Sequence, residues 1–138
     1  MLFRSKLRFM NNLGEYRIRQ VMLAGGSVFI ASAIALISRP DLFGQFIGIN
    51  GEDAFWSLRM TGVVLLPLGY LMIVVRSNSS NHVVKSFAIL MSLVSLALGI
   101  VTLLAPGDAN LGRIIYAIIG FIFSTLYVVA IALGKNKN

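Results

Sequence analysis

The charged side chains of this 138-residue chain lie between and outside its long apolar runs. Two of the connections between those runs hold four of the five acids together with three arginines. Such a set could form an ion-pair network or bind a lipid headgroup, although a solvated polar rim is the simpler interpretation. The residues assigned to this predicted polar rim are Arg39, Asp41, Arg59, Asp108 and Arg113, with Glu52 and Asp53 nearby.

The remaining reactive residue types do not combine into a catalytic or metal-binding pattern. The chain has no cysteine, so thiol redox chemistry, thiolate metal sites and covalent haem attachment are excluded. The single histidine, His82, cannot supply paired haem ligands within one chain, and a Ser-His-Asp set would have to combine it with aspartates predicted on the opposite membrane face. We therefore predict no catalysis, no metal and no cofactor.

Pro67 and Tyr70 are the residues that best indicate a ligand pocket. Pro67 lies in the middle of an apolar run, where it should kink a helix and free the carbonyl of Val63. Tyr70 follows about one turn later, and its hydroxyl needs a partner if it faces other helices. The alternative is that neighbouring helices satisfy the freed backbone and no pocket forms.

Four uncharged runs dominate the sequence and set the fold class. Hydrophobic residues make up 57% and charged residues 12%, about half the charged share of soluble domains. Each run is long enough to cross a bilayer as a helix, and none shows the polar face of a soluble helix or the alternation of a barrel strand. We predict one all-α membrane domain, a four-helix bundle with helices at about 17–38, 57–76, 84–105 and 113–134.

The basic residues predict the orientation of these helices. Nine of the twelve lie in the N-terminal segment, the second connection and the C-terminal tail. Because basic segments stay on the cytoplasmic side, both termini should be cytoplasmic, in a cell membrane and most simply a bacterial inner membrane. Residues 1–16 could form an amphipathic helix on that face, or a transit sequence. The scattered charge attracts lipid headgroups and does not suggest nucleic-acid binding.

Small residues recur at helical spacing and predict where the helices pack. In lipid, close backbone approach and interhelical hydrogen bonds drive association, so small residues mark interfaces. The third and fourth helices carry the predicted packing seam, Ala88, Ser92, Ser95, Gly99 and Thr102 with Ala117, Gly120 and Ser124. Shorter patterns in the other two helices are Ala24, Ala31, Ala35 and Ser38 in the first, and Gly62 and Gly69 in the second. The spacing favours a left-handed bundle with these residues inside.

The two halves of the chain follow the same order of charges and helix ends. Each half begins with basic residues and ends its first helix at a proline followed closely by an aspartate, Pro40-Asp41 and then Pro106-Gly107-Asp108. This order is consistent with a parallel duplication of a helical hairpin. Any four-helix chain with cytoplasmic basic loops would show much of the same symmetry.

The stretches "RPDLFGQFIGI" and "WSLRMTGVVLLPLGYLM" carry a resemblance to a known group. The Pro-Asp exit, the apolar loop and the Arg-x-x-Gly at Arg59 and Gly62 resemble the DoxX-like group of small bacterial four-helix membrane proteins. The likeness covers roughly residues 36–72 and implies the same fold. Some members of that group are linked to quinone-dependent respiratory enzymes, which implies a possible neighbourhood for this chain.

These observations favour a non-catalytic role in the membrane. The leading hypothesis is an accessory or structural subunit that packs against other membrane subunits, or against copies of itself, and contacts membrane lipids. The alternative hypothesis is a binder or carrier of a lipid-like molecule such as a quinone.

Overall fold

A computed structural model describes the backbone of residues 2–107 and 109–135 and the side chains of residues 14–107 and 109–134. Within these ranges the chain is helical and contains no strand. The five helices are α1 Leu2–Ser38, α2 Pro40–Ile47, α3 Glu52–Asn78, α4 Asn81–Leu104 and α5 Leu111–Lys135. Four of them, all but α2, are long and apolar enough to cross a membrane. The predicted all-α membrane fold with four spanning helices is confirmed.

The helices extend beyond the apolar runs, mainly at their amino ends. Helix α3 begins at Glu52 and α4 at Asn81, because polar residues in a first turn keep their backbone in the helix while their side chains reach water. Helix α1 is continuous from Leu2, so residues 2–16 are not a separate helix. Most of the predicted amphipathic pattern there falls on side chains outside the described residues, and its membrane-surface location stays a prediction.

The apolar first connection folds into the short helix α2. Pro40 stands in the first turn, where its missing N–H costs nothing, and Gly48 ends the helix in the left-handed conformation at φ 75°. Pro40, Gly44 and Ile47 are buried, and the ring of Phe43 meets Tyr116 of α5 edge-on with centroids 5.3 Å apart. Helix α2 therefore lies against the ends of the long helices.

The long helices form two hairpins, α1 with α3 and α4 with α5. Glycines bring α1 and α3 together: a Cβ on Gly26 would lie 3.0 Å from the carbonyl oxygen of Gly69, and one on Gly62 would lie 3.0 Å from that of Ala33. The interface predicted on the first helix is wrong, because Ala24, Ala31, Ala35 and Ser38 are all exposed. A different face of α1, which includes Met22, Gly26, Ala33 and Leu36, packs inward.

The two hairpins meet mainly where α1 packs beside α5. The hydroxyl of Tyr127, a fully buried residue of α5, donates a hydrogen bond to the Val21 carbonyl at 3.5 Å. Met22, Met72 and Met91 fill the core around it. Connections lie at two ends. We call the end with α2 and the α4–α5 connection the Arg113 end, and the end with the α3–α4 connection and the C-terminal turns of α5 the Arg19 end.

Candidate functional site

Arg113 lies buried at the end that carries α2. Only 2% of the residue is exposed, and its guanidinium donates to five backbone carbonyls in two connections. The shortest bonds run to Ile47, at 2.8 Å from Nε, and to Ala105, at 2.8 Å from Nη1. The other acceptors are Gly48 at 3.3 Å, Pro106 at 3.2 Å and Gly107 at 3.2 Å. Arg113 therefore joins the end of α2 to the α4–α5 connection.

Glycines allow these two connections to meet at backbone distance. Gly107 has φ 106°, a region that favours glycine, and a Cβ there would collide with the carbonyl oxygen of Gly48. A Cβ on Gly112 would collide in the same way with the carbonyl of Phe46. Asn110 adds a hydrogen bond from its side-chain amide to Gln45 O at 3.1 Å. The two connections consequently pack into one layer in which the arginine satisfies the carbonyls.

The rest of the predicted polar rim is exposed and divided. Arg39 and Asp41 form an ion pair at 3.3 Å, with side chains 63% and 42% exposed, and the hydrogen bond from Arg39 lowers the pKa of Asp41 below its usual 3.8. The guanidinium of Arg59 lies 5.7 Å from the ring centroid of Trp56. Asp108 lies outside the described residues. Arg113 is thus buried and forms no part of a solvated rim.

The opposite end is also held by an arginine that sequence reasoning did not single out. Arg19 of α1 is half-buried and donates to the carbonyl of Arg76, to the Ser79 carbonyl at 3.0 Å and to Asn81 Oδ1 at 2.9 Å. The amide of Asn81 in turn donates to Glu15 Oε2 at 2.6 Å. These bonds attach α1 to the connection between α3 and α4.

A cleft of about 190 Å³ opens beside these hydrogen bonds. Its polar lining comes from α1 and the first turn of α4, and its apolar lining from α1, α4 and α5. Glu15 and Lys85 both line the cleft but form no ion pair with each other within 4.0 Å. The lining residues are Glu15, Ile18, Asn81, His82, Val84, Lys85, Ile131 and Gly134.

An apolar groove of about 350 Å³ adjoins the cleft and runs between α4 and α5. It is lined by Ile89, Leu93, Val128, Ile131 and Ala132, with Ser92 at its floor. Ile131 belongs to both the cleft and the groove. A cleft with charged and apolar walls and an apolar groove therefore lie on either side of Ile131 at the Arg19 end.

The predicted packing seam lies between α4 and α5. Ala88, Ser92, Ser95 and Gly99 of α4 are buried, as are Ala117 and Ser124 of α5, whereas Thr102 and Gly120 are half-buried. The Ser92 hydroxyl donates to the Ser124 carbonyl at 3.3 Å. A Cβ on Gly120 would lie 2.9 Å from the carbonyl oxygen of Ser95. Thr102 instead donates to Leu98 of its own helix at 2.7 Å.

Pro67 and Tyr70 do not form the predicted pocket in the bundle interior. Both residues are exposed, Tyr70 to 65%, and α3 continues as a helix through Pro67. Gly69 faces α1, and the next residue of a helix is turned by about 100°, which directs Tyr70 outward. A cavity between α1, α4 and α5 beside Tyr116 measures about 30 Å³, which is room for water and not for a quinone ring.

The sequence contains only a weak indication of the charged residues that form hydrogen bonds at the Arg19 end. Glu15 is the one acid of the basic N-terminal segment, and Arg19 follows it by one helical turn. The positions of Glu15 and Arg19 in the sequence did not predict their shared partner Asn81, which is more than sixty residues away. Among the described residues, no group of three His, Cys, Asp or Glu side chains could hold a metal ion.

Comparison of the chain with protein-family models, with curated proteins and with solved structures found no match.

Proposed function

We propose that this membrane protein is a non-catalytic subunit that packs against helices of other membrane chains, or of its own copies, in a larger assembly. The observation that carries the proposal is the outward face of α1. Five small residues on it are exposed at spacings of three and four, namely Ala24, Ser27, Ala31, Ala35 and Ser38. The protein's own helices leave this face uncovered.

The physical argument concerns how helices associate in lipid. Lipid tails are as apolar as leucine, so bulky aliphatic residues gain little by leaving lipid for another helix. Small residues let two backbones approach closely, which increases dispersion contacts and favours association. Ser27 already donates to the Leu23 carbonyl of its own helix at 2.9 Å, so the face offers close approach more than polar bonding. A second helix is the partner that such a surface suits best.

The proposed setting is a bacterial inner membrane with both termini in the cytoplasm. The asymmetry of basic residues supports this orientation. The close approach of Gly14 to Gly134, where an added Cβ would lie 2.9 Å from the Gly134 Cα, supports a common side for the two ends of the bundle. The resemblance to the DoxX-like group supports the bacterial setting, and a respiratory assembly is the corresponding candidate.

The test is gentle extraction of the tagged protein from its native membrane, followed by mass spectrometry and by light scattering of the purified particle. We expect stoichiometric partner chains or a homo-oligomer. Ala31→Phe should remove them, because the new ring prevents close approach without touching the core. Ala132→Phe, an exposed alanine on the opposite hairpin, is the control and should keep the partners. An isolated monomer in the wild type would contradict the proposal.

A second candidate function is binding of a lipid-like molecule. The cleft and groove beside Ile131 favour it, because a depression with charged side chains and an apolar groove share this residue in their walls. A quinone remains the ligand suggested by the family resemblance. Binding of a quinone inside the bundle has no support, because Pro67 and Tyr70 are exposed and the cavity beside Tyr116 is small.

A further inference from the structure

We propose that the cleft and the groove at the Arg19 end together bind one zwitterionic aminophospholipid, with its phosphate at Lys85, its ammonium at Glu15 and an acyl chain in the groove. This inference rests on the second candidate function, lipid binding, and names its ligand class. It is independent of the subunit role, which uses the outward face of α1.

The charges of the cleft select the headgroup. Glu15 and Lys85 line one depression without pairing with each other. A carboxylate that can bind a cation and an ammonium that can bind an anion therefore lie there together. The bond from Asn81 to Glu15 Oε2 orients the carboxylate. His82 lines the same cleft and adds an imidazole N–H. A primary ammonium and a phosphate in one headgroup match both charges, whereas an anionic headgroup would meet Lys85 but be repelled by Glu15.

The depth of the groove fits the tail of the same molecule. Ile89 and Leu93 lie one and two turns beyond Lys85, about 6 and 12 Å further along α4. Lys85 lies near the start of its candidate span, Asn81–Leu104, at the level of headgroups. The groove therefore begins where acyl chains begin. Its lining is almost wholly aliphatic, and it shares Ile131 with the cleft.

The experiment is native mass spectrometry of the detergent-purified full chain, titrated separately with phosphatidylethanolamine, phosphatidylglycerol and a long-chain quinone. We expect one phosphatidylethanolamine to bind, at least tenfold more tightly than phosphatidylglycerol. Glu15→Gln keeps an acceptor for Asn81 but removes the charge, and Lys85→Gln removes the cation. Each should weaken phosphatidylethanolamine binding about tenfold, the scale of one hydrogen bond to a charged group. Glu15→Gln should also abolish the preference over phosphatidylglycerol.

Four further variants separate the possible outcomes. Glu52→Gln and Arg59→Gln change the same charges at the other end and should leave binding unchanged. Ala132→Phe should block the groove and weaken binding, whereas Ala31→Phe should not. Equal binding of the two phospholipids, or no effect of Ala132→Phe, would overturn the inference. Binding of the quinone alone with sensitivity to Ala132→Phe would overturn it while retaining lipid-like binding, and no binding by any probe would remove both.

Discussion

The two ends of the molecule use the same residue type in different ways. At one end Arg113 is 2% exposed and donates to five carbonyls of two connections. At the other end Arg19 is half-buried and donates to two carbonyls and to Asn81. Arg76 has its Nε buried there without a hydrogen bond to any described residue. The buried polar groups at the Arg113 end are therefore more completely hydrogen-bonded than those at the Arg19 end.

This difference concerns how fully the connections are hydrogen-bonded at each end, because the Arg113 end also carries an open depression, of about 320 Å³, beside Trp56 and Arg59. Glycines at Gly107 and Gly112 bring the connections at the Arg113 end into backbone contact, and the arginine compensates the carbonyls that this contact buries. Within the described part of the chain, the Arg19 end has a shorter connection and no additional short helix comparable to α2. A cleft lined by Glu15 and Lys85, which do not pair with each other, lies beside it. The two ends consequently differ in how their connections are hydrogen-bonded and not in whether a depression is open to a ligand.

Removing the buried arginine should have the largest effect on stability. Arg113→Met leaves the carbonyls of Ile47, Gly48 and the α4–α5 connection without their donor. We expect a loss of about 3–5 kcal/mol in the free energy of unfolding, because several buried acceptors become unsatisfied at once. The measurement is unfolding in mixed micelles by titration with SDS, followed by circular dichroism.

Two variants at the same end act as controls for Arg113→Met. Arg113→Lys keeps the charge but has a single ammonium in place of the planar fork, so it should lose an intermediate amount. Arg59→Met removes an exposed arginine and should change stability by less than about 0.5 kcal/mol. If Arg113→Met unfolded like Arg59→Met, backbone packing alone would hold the connections together.

Removing the arginine at the other end should have a smaller effect. Arg19→Met removes the donor to the carbonyls of Arg76 and Ser79, but water can reach these partly exposed groups. We expect a loss of about 1–2 kcal/mol by the same SDS titration. Arg17→Met, an exposed position two residues earlier in α1, is the matched control and should be nearly neutral. A loss as large as that of Arg113→Met would remove the difference between the two ends.

Much of the fold could be predicted because hydropathy and helix spacing are local properties. Four charge-free runs require four helices in lipid, and the structure has them. The face of α1 that packs inward could not be predicted in this way. The small-residue stripe from Ala24 to Ser38 and the face with Gly26 and Ala33 both suit an interface, and only the position of α3 decides between them. Helix α2 was missed because its eight residues begin with Pro40-Asp41 and contain Gly44, which are residue types typical of a loop.

The functional residues were harder to predict because their partners are distant in sequence. Arg113 was assigned to a solvated rim, since a charge at the end of a span ordinarily reaches water. Its burial depends on the closure of α2 over it, more than sixty residues away. The cleft likewise combines Glu15 with Asn81 and Lys85, and no spacing rule connects these positions. Sequence patterns located the membrane spans but not the contacts between their ends.

Removing the exposed ion pair at the Arg113 end should have the smallest effect on stability. Comparison with Arg113→Met then shows how much burial of an arginine contributes to stability at this end. The hydrogen bond from Arg39 lowers the pKa of Asp41, so the pair stabilises the fold above the unfolded pKa of about 3.8 and is lost as pH falls through the lower folded value. Arg39→Gln should therefore raise the pKa of Asp41 toward 3.8, measured by NMR titration of its carboxyl carbon, with almost no change in stability at neutral pH. Arg59→Gln is the control and should leave the pKa of Asp41 unchanged. A marked loss of stability in Arg39→Gln would mean that the surface pair, as well as Arg113, closes this end.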